Sequence, residues 1–221
     1  MYSFDASIPA AVMPQPNVVR DIRRPDGSLD LLAMQPMAYH VFFGGSMQTQ
    51  FAYDFPAGVG LRMPANAGLD LNLHYANHTG VSITGEAFAN VLTVDSASLQ
   101  HIARPLNLSN TGISLPAGAR TTLEKTFLMS QPTTVFALTS HMHKLGERFQ
   151  IRIVGGARDG ELVYESTDWE HPQMLLLTTA IVLQPGQGLK STITWNNTTS
   201  QVVNFGLLST DEMGIIFGYY Y

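Results

Sequence analysis

The side chains best suited to chemistry in this sequence are imidazoles, thioethers and carboxylates, because the chain contains no cysteine. Disulfides and thiolate metal sites are therefore excluded. The most suggestive spacing is in TVFALTSHMH, residues 134–143. In an extended strand successive side chains alternate faces, so His141 and His143 project together, two residues apart. That arrangement suits chelation of one metal ion. Met213 follows in STDEMGIIF, between two strand-like stretches. Two imidazoles and a thioether make a soft, neutral donor set that favours copper, Cu(I) above all, over Mg or Ca. Spacing alone does not bring Met213 to His141; that step needs the fold. By residue type alone, the His pair also fits an exposed strand pair without metal, and Met213 also fits core filling. His74 beside Tyr75, and His40 before Val41, Phe42 and Phe43, fit either a ligand or a core histidine. His78, His101 and His171 read as structural or surface groups. Glu212, next to Met213, is a candidate acceptor that orients a ligand.

The elements that must position these residues read as strands. Val81–Leu92, Thr121–Leu128, Thr134–His143, Phe149–Val154, Leu189–Trp195 and Ile215–Tyr221 carry strand signals, with others at Tyr39–Phe43 and Leu69–Tyr75. Turn residues punctuate them, at Pro116–Gly118, Gly155–Gly160 and Pro185–Gly188 among others. Many short strands at this spacing predict an all-β protein, a sandwich or jelly roll. The 221 residues suffice for one large β domain or two small ones. The cleanest internal boundary is the polar stretch Asp95–Asn110. Net charge is −5 with no basic run, which argues against nucleic acid as a partner. The first residues lack the basic-then-apolar order of a signal peptide. No apolar run approaches the ~20 residues that span a bilayer.

Three segments, SHMHKLG, STDEMGIIFGYYY and LDLNLHYANHTG, together resemble the copper type II, ascorbate-dependent monooxygenases, the family of the peptidylglycine hydroxylating enzymes and dopamine β-monooxygenase. The order of the segments matches as well, and the resemblance runs over roughly residues 37–221 of the chain. It implies two jelly-roll-like β-sandwich domains, here residues 1–97 and 98–221, each holding one copper. By this resemblance His141, His143 and Met213 hold the oxygen-activating copper. His74 and His40 correspond to ligands of an electron-transfer copper, and Tyr39 stands where the family has a further His. It implies hydroxylation of a C–H bond of a small-molecule substrate by O2, with a reductant such as ascorbate, in a secreted or periplasmic protein. Peptide-amidating members carry an Arg two residues before the first His of the His-x-His pair; Thr139 stands there, so a glycine-extended peptide is not the expected substrate. The substituted Tyr39 also motivates a second reading, a non-catalytic copper-binding module in which His141, His143 and Met213 alone remain.

Overall fold

The computed structural model describes residues 1–63, 68–73, 75, 77 and 79–221. The chain divides into two compact units, Met1–Gly45 with Gly60–Gln100, and Ser46–Val59 with His101–Tyr221. Strands dominate and the α-helix among the described residues is a single turn, so the fold is all-β as the turn-punctuated sequence predicts.

In the first unit β1 (Tyr2–Phe4) lies between β2 (His40–Phe42) and β4 (Leu69–Asp70), antiparallel to both. Helix α1 (Leu31–Met34) is capped by Asp30, whose carboxylate accepts from the amides of Leu32 and Ala33, and a 3-10 turn, Gln35–Tyr39, leads into β2. The cap satisfies amides that a first helical turn leaves unpaired. Val81–Leu92, expected as a strand, is not one, and Val81, Ile83, Phe88 and Leu92 are exposed. Alternating apolar residues form a strand only where a neighbour supplies hydrogen bonds and a second layer covers the apolar face, and here no ladder forms. A further short strand, β3 (Val59–Leu61), spans the sequence boundary between the units.

The second unit is a sandwich of antiparallel sheets. One has the order β10-β9-β12-β7, from β7 (Arg120–Leu128), β9 (Gly146–Val154), β10 (Leu162–Ser166) and β12 (Gly188–Asn196). The other contains, in order, β11 (Leu175–Leu183), β8 (Thr133–Met142), β14 (Gly214–Tyr220) and β5 (His101–Ser109). A small ribbon pairs β13 (Val203–Asn204) with β6 (Ser114–Leu115). The period-2 pattern is plain in β12, where Leu189, Ser191, Ile193 and Trp195 are buried and Lys190, Thr192 and Thr194 are not. Phe149, Ile151, Leu138, Met142 and Ile216 join them in one core. Each such fully buried side chain contributes roughly 1.5–3 kcal/mol. Between β11 and β12 the chain reverses through Pro185 and Gly186, with Gly186 at φ 83° and the Gln187 amide bonded to the Gln184 carbonyl. Pro then Gly at the central positions is the residue order a type II turn requires. The polar stretch Asp95–Asn110, read from sequence as a boundary, contains the whole of β5, paired along β14.

Candidate metal centre

β8 and β14 carry the candidate ligands, and their register sets the geometry. His141 pairs with Ile215, Thr139 with Phe217, and the ladder ends at Met142 with Gly214. Met142 points into the core and is fully buried, so its neighbours His141 and His143 face the other way and are only partly buried. The two imidazoles meet edge to face, with ring centroids 5.2 Å apart and planes at 85°. Phe217 lies 6.2 Å from the His141 ring. His143 and Met213 are the next residues beyond the last ladder pair, one on each strand. The structure thus brings His141 and His143 together.

The orientation of His143 is fixed from the segment that precedes Met213. Its Nδ1 is 2.8 Å from the Asp211 carbonyl oxygen. A carbonyl can only accept, so Nδ1 carries the proton and the neutral ring keeps its lone pair on Nε2. That is the tautomer a metal-binding imidazole shows when its second nitrogen is held by a backbone carbonyl. The backbone amide of His143 donates to Glu212 Oε2 at 3.0 Å, and the Leu145 amide to Oε1 at 2.8 Å. Trp195 Nε1, from the opposite sheet, donates to Glu212 Oε2 at 3.0 Å. Glu212 itself is fully buried. A tight turn follows His143, closed by the Gly146 amide on the His143 carbonyl at 2.9 Å. The acceptor role of Glu212 was visible from its position beside Met213. The parts of Trp195 and the Asp211 carbonyl were not, because a backbone oxygen has no sequence signature and Trp195 is remote in the chain.

Among the described residues no three His, Cys, Asp or Glu side chains gather at metal-binding spacing. A centre at the His pair would therefore need a donor of another kind, and a thioether is the donor that the sequence offers beside it. The residues present fit copper: two imidazoles, one with its tautomer set, and the nearby Glu212 carboxylate is occupied by the amides of His143 and Leu145 and the Trp195 indole.

In the first unit His40 is held differently. Its Nε2 lies 2.9 Å from Asp70 Oδ2, and the Arg20 guanidinium engages the same oxygen. The Tyr2 ring stacks on the imidazole at 4.4 Å. His74 and His78 lie outside the described residues. His101 stacks on Tyr221 with centroids 4.0 Å apart, and exposed His171 sits in a turn whose amides bond to Asp168.

No helix among the described residues is long and apolar enough to cross a membrane. No curated protein matches the chain. Among solved structures, that of the infectious bursal disease virus Gx strain is similar over 53% of this chain at 12% identity, with a TM-score of 0.23. The match spans 30% of that structure's chain, and a likeness so low bears on neither fold nor function. The family model described as "Copper type II ascorbate-dependent monooxygenase, C-terminal domain" matches residues 116–221, the stretch that carries His141, His143 and Met213. Residues 116–221 are thus similar to the C-terminal domain of the copper type II, ascorbate-dependent monooxygenases.

Proposed function

We propose that His141, His143 and Met213 hold one copper ion and that the protein hydroxylates a C–H bond of a small molecule with O2 and an external reductant such as ascorbate. The observation that carries this reading is the Nδ1–H of His143 on the Asp211 carbonyl, 2.8 Å away, within the stretch similar to the copper family's C-terminal domain. That bond leaves Nε2 as the donor atom and prevents the ring from rotating away. His143 and Met213 each adjoin the last ladder pair, Met142 with Gly214, which supports their reaching one ion. Copper, when bound, supplies the one-electron redox chemistry that O2 activation needs. The chain's own part is to bind, orient and keep neutral the ligands that accept it. Thr139 and Phe217, paired on the face beside His141, offer no cation to a substrate carboxylate. The family reading also implies export to an oxidising compartment, secreted or periplasmic, which cell fractionation tests.

A second reading, a copper-binding module without turnover, is favoured by Tyr39, which stands where the resemblance implies a further His ligand. The Nε2 of His40 lies on Asp70, which leaves Nδ1 as the ring nitrogen that an electron-transfer copper would have to use. Both readings give one tight copper per chain. Metal analysis of protein purified without chelator, followed by Cu(I) titration, tests that stoichiometry. Reductant-dependent O2 consumption by the copper-loaded protein separates the two: consumption that His143→Ala abolishes supports the enzyme, and none supports the module.

A further inference from the structure

The carboxylate of Glu212 is the most completely enclosed acid in the second unit, and nothing in the reaction chemistry requires it. We infer that Glu212 is a positioning residue for the copper centre, clamping the His141–His143 strand end to the segment that delivers Met213; this rests on the proposed ligand set. The clamp draws on separate elements. Oε2 accepts from the His143 amide at the end of β8 and from the indole of Trp195 on β12, in the facing sheet, both at 3.0 Å. Oε1 accepts from Leu145, inside the turn to β9, at 2.8 Å.

The backbone of Glu212 is equally fixed. Its amide donates to the Asn204 carbonyl at 3.0 Å, and its carbonyl accepts from Gly206 at 3.2 Å. The preceding residue holds the His143 ring through its carbonyl, and the following residue is Met213. Residues 211 and 212 thus hold one imidazole and the backbone beneath it, and the proposed thioether ligand, Met213, is the next residue along the chain. The segment before Met213 is tied to the end of β8 through one side chain as well as through the sheet.

Energetics favour a purpose beyond stability. Burying a carboxylate costs several kcal/mol even after relaxation. An apolar side chain of the same size would avoid that desolvation, yet it would leave the amides of His143 and Leu145 unpaired and free the strand end. Strong, charge-assisted hydrogen bonds to backbone amides give the directional hold that a ligand geometry needs. Outer partners of metal ligands typically carry about 10–100-fold in metal affinity.

The test uses the full chain and Cu(I) as the probe. Glu212→Gln keeps the volume but turns an NH2 group toward amide donors. Its Cu(I) affinity, measured by competition with a chromophoric chelator well below the unfolding transition, should fall about 10–100-fold. The Cu(II) electron paramagnetic spectrum should change as well. Ile153→Val, a core truncation on β9 remote from the clamp, should lower the melting temperature and leave the copper affinity alone. Trp195→Phe, which removes one donor and keeps an aromatic ring, should weaken copper in the same direction by less, and it serves if Glu212→Gln fails to fold. In apo protein, imidazole nitrogen shifts should report a fixed Nδ1–H tautomer at His143 that becomes mixed in Glu212→Gln. Wild-type copper affinity in folded Glu212→Gln, with the His143 tautomer unchanged, overturns the positioning role and leaves the ligand set standing. A wild-type chain that binds no Cu(I) overturns both.

Discussion

Gly214 has no room for a methyl group. An ideal Cβ there would lie 2.6 Å from Ile193 Cδ1, 3.3 Å from Trp195 Cζ2 and 3.4 Å from Ile113 Cδ1. Carbon atoms in contact settle at about 3.5–4.0 Å, so Gly214→Ala drives its methyl roughly 1 Å into Ile193. Either Ile193 leaves its rotamer in a filled core, or the first residue of β14 moves outward. Overpacking of this kind costs about 1–3 kcal/mol. Ile193→Val deletes the clashing Cδ1, at a cost of about 0.5–1.5 kcal/mol in the wild-type background. In the Gly214→Ala background the same deletion should be neutral or stabilising, a coupling of roughly 1–3 kcal/mol across the double-mutant cycle. Both tryptophans, Trp169 and Trp195, belong to the second unit, so their fluorescence during urea unfolding reports that unit. Because Gly214 follows Met213, outward displacement of β14 should also weaken Cu(I) binding in Gly214→Ala, and the double variant should recover it. Equal cost of Ile193→Val in both backgrounds would show that the close approach is relieved elsewhere and refute the reasoning.

Met213→Ala should weaken Cu(I) binding more than Cu(II) binding, since the thioether is the soft donor; equal losses in parallel titrations would remove it from the ligand set. Gly218→Ala should destabilise the second unit, because the added Cβ would lie 2.0 Å from the Ala137 carbonyl oxygen, an unyielding backbone atom of β8. Gly112→Ala, where the nearest atom is Asn110 Oδ1 at 3.5 Å, should not, and equal midpoints for the two variants would count against the strand spacing described. Burial pushes the Tyr53 hydroxyl up to about 12, and burial also raises Tyr219. A folded value above the unfolded one means the stabilisation is fully present below pH ~10 and is lost as pH rises through the folded value. Alkaline titration followed by tyrosinate absorbance should therefore show these hydroxyls ionising late, with unfolding; eight tyrosines titrating together near 10 in folded protein would contradict it.

The second unit was largely legible in sequence. Leu189–Trp195 becomes β12, Gly188–Asn196, because it alternates cleanly and follows a turn, and Ile215–Tyr221 becomes β14, Gly214–Tyr220, a short continuous apolar run that is mostly buried as an interior strand. The His141–His143 spacing was legible because strand alternation puts the rings on one face. β5 was hidden because its buried side chains are few, chiefly Ala103 and Leu106, and Pro105 interrupts the pattern; it is a strand because β14 pairs with it. Val81–Leu92 fails for the opposite reason, having the pattern without the partner. Assignment of Ser46–Val59 to the second unit is a tertiary fact that no local signal carries.

That assignment decides where the chain can be cut. The family match begins at residue 116, and a fragment starting there would lose β5 and turn β14 from an interior strand into an edge. It would also lose Tyr53 and Phe55, whose rings lie against Tyr219 at 6.1 and 4.9 Å, with Phe55 also 5.2 Å from Phe136. A bare row of amides and carbonyls beside an uncovered aromatic face is a template for association between chains. A soluble fragment bearing the His141–His143 pair must therefore begin no later than Ser46, and so carries the intervening first-unit residues with it.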